Sequence, residues 1–495
     1  MEVKIGGFIK HSTIYAIGSI LSKVGIFLMI PVYTRYLTPA DYGTLELLYV
    51  TAAVLRMFLS MDIAHATLRF FFEYEDVLDR KRVISTALIS SGLLGLACVG
   101  VFFQFTESLS LFFFNTEAYS DLFRLVSIMF LLELSMEIST AYIRAAEQSL
   151  FYISVSLGQL LIRIGLNSYA LSVLNYGMRG ILIGDLIATF LAWIALTGMT
   201  LKFAGFNFHL PKLKELLLYS YPLALGSIGG LVINNADRYF LKTFSTLETV
   251  GLYALAYRMG AALQALYTEP FMKSYGPFRF SIMKQENAGK IYSRMLTYFL
   301  CGFLFLGLGM VVLGKEIIQL MTAPSFWKAA SVLPWVVLAS SGAGCYYVLQ
   351  IGIYLQKQTK AVPFILLATA LVNLVANGIL VPSLGIYGAG IASVVTNITL
   401  CLLGYFISQK FYPIQYEFRR ILKLFVLTCA MYGTSLFITP PTLIMAVVLK
   451  TIFVLLFPFI LYGIHFFHQD EIEAMWDGWK RFRFFMAGKL QLGKV

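Results

Sequence analysis

The chain has 495 residues, 59% of them hydrophobic and 13% charged, with a mean hydropathy of +0.77. Soluble domains carry about 25% charged residues, so the composition excludes a water-soluble globular chain and places the protein in a bilayer. The net charge of +12 is not laid out as a nucleic-acid footprint; its order along the chain follows the two sides of a membrane.

Apolar segments of the roughly 20 residues that cross a bilayer as a helix recur from end to end, separated by short polar breaks. Strand alternation is lacking, which predicts an all-α polytopic bundle rather than a barrel. About 14 spans are expected, near residues 12–34, 43–68, 83–105, 119–142, 151–173, 180–201, 215–241, 249–272, 290–313, 329–355, 361–381, 386–408, 420–438 and 442–466. MEVKIGGFIKH leads straight into the first span without a small-residue cleavage site, so no cleavable signal is expected.

An even number of spans puts both termini on one side. If that side is the cytoplasm, 26 of the 38 Lys and Arg fall in inner segments, against five in outer ones (Arg35, Arg179, Lys242, Lys315 and Lys328). This asymmetry predicts cytoplasmic termini. The basic tail KRFRFFMAGKLQLGKV then reads as a topology anchor touching anionic lipid. Outer loops are too short for a folded domain, which argues against an outward-facing membrane enzyme.

The chain also repeats itself. Shifted by 208 positions, residues 15–49 fall without a gap on residues 223–257. Ala16/Ala224, Gly18/Gly226, Ser19/Ser227, Ile20/Ile228, Val24/Val232, Thr38/Thr246, Gly43/Gly251, Leu47/Leu255 and Tyr49/Tyr257 are identical. NYGMRG at 175–180 likewise answers IYGAG at 386–390. An internal duplication of six spans predicts two six-helix pseudo-symmetric lobes related by an axis along the membrane normal. The expected divisions are an N-terminal lobe at 1–210, a C-terminal lobe at 211–412, two extra transmembrane helices at 413–468 and a basic cytoplasmic tail at 469–495.

Charges inside spans cost about 2.5–3.5 kcal/mol each at the bilayer centre, so they mark bundle interiors or watery cavities. Lys23, Arg56 and Arg163 lie mid-span with no obvious acid one turn away; Arg238 and Arg258 follow in the second half. Together they predict a cationic cavity suited to a phosphate or an acidic sugar, because guanidinium forks match phosphate oxygens. Internal ion pairing that only fixes packing is the alternative. Glu133 and Glu137, four residues apart on one helix face, and Asp237 are candidates for ion coupling, with pairing of the two glutamates to Arg124 or Arg144 as the plainer reading. Asn234, Asn235, Asn373 and Asn377 suit sugar hydroxyls or interhelical hydrogen bonds.

The five cysteines lie in spans at unrelated spacings, and the five histidines form no ligand pattern, so neither a disulfide framework nor a metal is expected. The chain holds no GxxxxGK[ST] loop for ATP. No cofactor is expected, and nothing points to catalysis.

PVYTRYLTPADYG after the first span, NNADRYFL in the seventh with TVGLYALAYRMG opening the eighth, and NLVANGILVPSLGIYGAGIASVVTN across the eleventh and twelfth carry a resemblance. They resemble the polysaccharide-transporter branch of the MATE-like multidrug/oligosaccharidyl-lipid/polysaccharide exporter superfamily, and more narrowly its Wzx-type oligosaccharide flippases. The likeness spans the whole chain, but each motif is loose. It implies two lobes around a central cavity opening alternately to each side. The implied cargo is an undecaprenyl-diphosphate-linked oligosaccharide moved from the inner to the outer leaflet of the bacterial cytoplasmic membrane, driven by a proton or sodium gradient. Membrane lipids, a polysaccharide polymerase and glycosyltransferases are the implied partners. Lys23, Arg56, Arg163 and Arg258 fall in the regions where such flippases place cavity cations, without a one-to-one alignment. A lipid II flippase, which usually has more arginine in its first two helices, and a MATE-like drug or metabolite exporter, which favours an acid-lined cavity, are the alternative readings. A membrane glycosyl polymerase would want a long outer loop, and a non-transporting export scaffold would use the internal charges for packing alone.

Overall fold

The computed structural model describes residues 27–473 together with residues 18, 21, 25, 476 and 477. Lys23 and the tail beyond residue 477 lie outside them. Every regular element among the described residues is helical. In chain order the helices are α1 (Ile30–Tyr36), α2 (Pro39–Ser60), α3 (Ile63–Glu73), α4 (Val77–Phe114), α5 (Ser120–Ala145), α6 (Ser149–Ser172), α7 (Gly177–Ala204), α8 (Leu210–Phe244) and α9 (Leu247–Leu263). They continue with α10 (Glu269–Ser281), α11 (Ala288–Val312), α12 (Gly314–Met321), α13 (Leu333–Leu349), α14 (Ile351–Leu355), α15 (Ala361–Leu384), α16 (Ile386–Phe411), α17 (Phe418–Ser435) and α18 (Leu443–Gly463). Among the described residues nine helices are long and apolar enough to cross a membrane, or ten if the two arms of α8, bent by 58°, make one span.

The predicted second span is two helices, because Met61 and Asp62 both take left-handed backbone angles, with φ of 44° and 57°. Side chains disfavour that region, so nothing in the local pattern announces the break. The Asp62 carboxylate meets Nδ1 of His65 across it. The predicted eighth span runs on as α9, a π-helical turn at Gln264–Thr268, and α10. The tenth is a 3₁₀ turn at Pro324–Ser331 followed by α13 and α14.

Two compact units divide the chain. One takes Met1–Ala288 and Ile317–Pro413, and the other Gly289–Glu316 and Ile414–Val495. Inside the first unit the duplication is visible in three dimensions. Thr38 and Thr246 each cap a helix, their hydroxyls accepting from the backbone N–H of Asp41 and Thr249 at 3.2 Å. A Cβ on Gly18 would lie 2.7 Å from Ile153 of α6, and one on Gly226 would lie 3.4 Å from Pro363 of α15, so the matched glycines face corresponding helices, the first of them more closely. The pairings of α6 with α7 and of α5 with α7 recur as α15 with α16 and α13 with α16. Lipid competes with helix for apolar contact, so association depends on close packing and small residues. The core of this unit gathers where α2 meets α9, with Leu47, Leu48, Val250, Tyr253 and Leu255 fully buried.

The second unit is organised on charge. Arg420 at the start of α17 makes two hydrogen bonds to the Glu471 carboxylate, at 2.7 and 3.1 Å, and one to Glu417 at 2.8 Å. Its guanidinium lies 4.6 Å from the centre of the Phe466 ring. Tyr298 of α11 donates to Glu471 at 2.6 Å. Lys450, mid-helix in α18, is 2.6 Å from Glu316. The ends of α11, α17 and the segment after α18 are thereby tied together.

Candidate functional site: a cavity in the duplicated unit

A cavity of about 740 Å³ lies in the first unit, within the range of about 300–1,000 Å³ common for small-molecule sites. Phe27, Ile30 and Glu46 contribute from the first half, and residues of α8, α9, α10, α13 and α16 from the second. Its polar lining includes Glu46, Asn234, Arg258, Gln264, Glu269 and Asn397, set among the rings of Tyr253, Tyr257 and Tyr347. The π-helical turn explains part of this placement. An extra residue in the turn rotates the following helix by about 100°, and Gln264, Thr268 and Glu269 all reach the cavity from it. Such insertions collect at functional sites.

The charges expected from sequence fall into three clusters. Arg258 lines the cavity, with Nη2 3.2 Å from Oε2 of Glu46. Arg238, buried, lies 3.5 Å from the other Glu46 oxygen, 2.7 Å from Asp237 and 4.0 Å from the centre of the Tyr257 ring. Asp237 accepts from the Tyr253 hydroxyl at 2.6 Å, and that hydroxyl is 3.0 Å from Ser393. One turn further along α16, Thr396 accepts from Asn373 at 3.0 Å. Asn373, Asn377 and Thr369 are fully buried, and their side-chain oxygens Oδ1, Oδ1 and Oγ1 have no hydrogen-bond partner among the described residues.

A second cluster joins Arg56 of α2 to Glu133 at 2.6 Å and Glu137 at 3.4 Å, both on α5. The glutamates share this guanidinium; Arg124 instead meets Asp121 at 3.1 Å and Glu107 at 3.7 Å. In the third cluster, Arg163 of α6 lies 3.2 Å from Asp185 of α7. Asp185 also accepts from Tyr49 at 2.6 Å and from Asn167 at 2.8 Å. Arg56 and Arg163 find their acids on other helices, which spacing along one helix could not show. Asn234 reaches the cavity, whereas Asn235 donates to its own helix at Leu231.

Glu46 was visible in the sequence only as one more intramembrane acid. Gln264 and Asn397 gave no signal, since a single amide in an apolar helix is ordinary. No group of three or more His, Cys, Asp or Glu that could hold a metal ion occurs among the described residues.

An all-helical multi-pass membrane chain, duplicated around a cavity that holds charged and amide side chains, is the architecture of a membrane transporter. The family described as "Polysaccharide biosynthesis protein" matches residues 8–283, more than half of the chain, and the protein belongs to that family. Among solved structures, the lipid II flippase MurJ in an inward closed conformation is 15% identical with a TM-score of 0.72, covering 92% of this chain and 99% of its own. An inward-facing multidrug resistance MATE family transporter of the MOP superfamily is 15% identical with a TM-score of 0.60, covering 83% and 98%. A MOP superfamily transporter from Pyrococcus furiosus is 14% identical with a TM-score of 0.54, covering 81% and 95%. These likenesses establish a shared fold. No curated protein sequence matches the chain.

Proposed function

We propose that the protein is a flippase, not an enzyme. It moves an undecaprenyl-diphosphate-linked oligosaccharide from the inner to the outer leaflet of the bacterial cytoplasmic membrane, supplying O-antigen, capsule or exopolysaccharide synthesis. The observation that carries this reading is a cavity, with charged and amide side chains set among apolar ones, reached from both halves of a duplicated bundle in a chain of a polysaccharide biosynthesis family. Its amides and hydroxyls suit sugar hydroxyls, and its tyrosine faces suit the apolar faces of sugar rings. The Arg258 fork suits an anionic group such as the diphosphate. Both termini would be cytoplasmic, a placement supported by the asymmetry of the basic residues, and the six-helix lobes with two further helices would rock around the cavity. Membrane lipids surround the protein, and a polymerase and glycosyltransferases would act after and before it.

Arg56 and Arg163, each held by an acid, would position the lobe facing the cargo; Lys23 and Arg238 complete the proposed cation set. Ion coupling is assigned to Asp237 on α8, with the buried, unpartnered oxygens of Asn373, Asn377 and Thr369 on the neighbouring α15 as further candidate ligands. Unpaired oxygen acceptors fit a small hard cation such as sodium. Glu133 and Glu137 are the second coupling position, suited to a proton because one guanidinium serves two carboxylates.

The test is a lipid extraction from cells lacking the gene. Accumulation of a complete, inner-leaflet, lipid-linked repeat unit with loss of surface polymer is expected. Unchanged lipid carriers with raised sensitivity to cationic drugs would assign the fold to drug export instead, and accumulation of lipid II would assign it to the peptidoglycan precursor.

A further inference from the structure

We propose that Glu46 is a latch between the two halves of the duplicated unit, and that an oxyanion on the cargo opens it by taking Arg258. The inference rests on the flippase reading above and adds to it a residue with a mechanical role.

Glu46 stands on α2, in the first half of the repeat; its two partners, Arg258 on α9 and Arg238 on α8, stand in the second. The pairs therefore bridge the seam. Their place along the seam matters. Glu46 lies three residues beyond Gly43, and Arg258 seven beyond Gly251, the two glycines at which α2 and α9 meet backbone to backbone. Leu47, Leu48, Val250 and Leu255 fill the seam around that crossing with no exposed surface. On α2 and α9 the cavity lining begins at Glu46 and Tyr253, and it continues through the π-helical turn to Thr268 and into α10 at Met272. The ion pairs thus sit on the cavity side of a closed crossing, at the end where Thr38 and Thr246 cap their helices.

The two arginines differ in what else holds them. Arg238 is secured within its own half by Asp237, by the Asn234 carbonyl and by the Tyr257 ring. Arg258 leans on the opposite half for both its contacts: the Glu46 carboxylate, and the Tyr42 ring at 5.0 Å. Among the described residues Glu46 is the acid it meets. Separating the halves in place would strip a buried carboxylate from a guanidinium, which opposes opening. An oxyanion entering the cavity reaches Arg258 from the open side and offers the bidentate geometry a guanidinium prefers. Once Arg258 pairs with cargo, Glu46 keeps only the longer, 3.5 Å pair to Arg238, whose charge Asp237 already balances, and the tie across the seam is weakened. Cargo then binds the opened arrangement better than the closed one, the difference that any ligand-driven switch requires. The oxyanion is a phosphate of the lipid carrier or a carboxylate of an acidic sugar.

The experiment uses the full chain with its five cysteines replaced by serine and one cysteine placed in the cavity wall, Ala261→Cys, reconstituted in vesicles. A membrane-impermeant maleimide is added from the side of the Thr38 and Thr246 caps. Glu46→Gln should label about tenfold faster than the parent without cargo. Undecaprenyl diphosphate in the vesicles, or an oligosaccharide bearing glucuronic acid on the opposite side with undecaprenol in the bilayer, should accelerate the parent and leave Glu46→Gln unchanged; which probe acts names the source of the oxyanion. Glu46→Asp, charged but shorter, should label at an intermediate rate, and Arg258→Gln should reproduce the fast labelling if Glu46→Gln folds poorly. If Glu46→Gln labels at the parental rate while either probe still accelerates the parent, the latch is overturned and the flippase reading stands. Fast labelling of Glu46→Gln with a parent indifferent to both probes overturns release by cargo, and the flippase reading with it.

Discussion

Gly43 and Gly251 meet across the seam of the duplicated unit. A Cβ on Gly43 would lie 2.1 Å from the Leu247 carbonyl oxygen, and one on Gly251 would lie 1.9 Å from the Pro39 carbonyl oxygen. The two contacts are images of each other: the shift of 208 residues that carries Gly43 onto Gly251 also carries Pro39 onto Leu247. A two-fold contact of backbone on backbone admits no side chain on either partner, because the atoms a Cβ would meet are backbone carbonyls and the opposing glycine's nitrogen, none of which can rotate away.

Replacing either glycine should therefore cost more than its surroundings suggest. Gly43→Ala or Gly251→Ala is expected to destabilise the protein by about 1–3 kcal/mol, the usual cost of overpacking. Gly276→Ala, with open space around it, should be close to neutral. Thermal unfolding of the three detergent-solubilised variants measures the difference, and equal shifts would mean that the crossing gives way easily.

Arg56 lets Glu133 and Glu137 share one face of α5. Arg56→Gln should lower stability by about 1 kcal/mol, since these side chains are 24–38% exposed and solvent screens them. Adding Glu133→Gln should recover most of that loss, because it removes the repulsion left behind. A double-mutant cycle decides; additive effects would show that the three charges do not interact.

In the second unit, two ion pairs of similar length should differ sharply in weight. Arg420 and Glu471 are 10% and 6% exposed, so Arg420→Ala should cost about 3 kcal/mol by taking the guanidinium from a buried carboxylate that keeps its hydrogen bond from Tyr298. The Arg294–Asp470 pair, at 2.6 Å with Asp470 exposed, should matter little and should weaken with salt. The hydrogen bond from Arg294 holds the Asp470 carboxyl below the usual carboxylate range. Its contribution is thus present at neutral pH and is lost as pH falls through and below that range. Unfolding of Arg420→Ala and Asp470→Asn at pH 7 and pH 3, in low and high salt, separates the two; a large loss for Asp470→Asn would contradict this ranking.

If Asp237 and the buried oxygens of Asn373 and Asn377 hold a coupling cation, sodium should stabilise the folded protein by about 2.7 kcal/mol at one hundred times its dissociation constant. Asp237→Asn and Asn373→Ala should abolish that increment while potassium gives none in either background. A sodium effect that survives both substitutions would place the ion elsewhere.

By itself the sequence determined the solvent, the class and the symmetry of this protein. Apolar segments of spanning length can only be helices in a bilayer, because backbone groups there have no water to bond. The matched pairs Thr38/Thr246 and Gly43/Gly251 were readable because caps and close approaches constrain residue type at one position. Tertiary structure alone decided what the charges do. Arg56 and Glu133 are 77 residues apart, Glu46 and Arg258 are 212 apart, and no periodicity links such partners. It also decided the break at Met61–Asp62 and the π-helical turn at Gln264–Thr268, where the chain departs from α-helical geometry. In both places packing between helices outweighs local preference, and the second of them turns Gln264 and Glu269 toward the cavity.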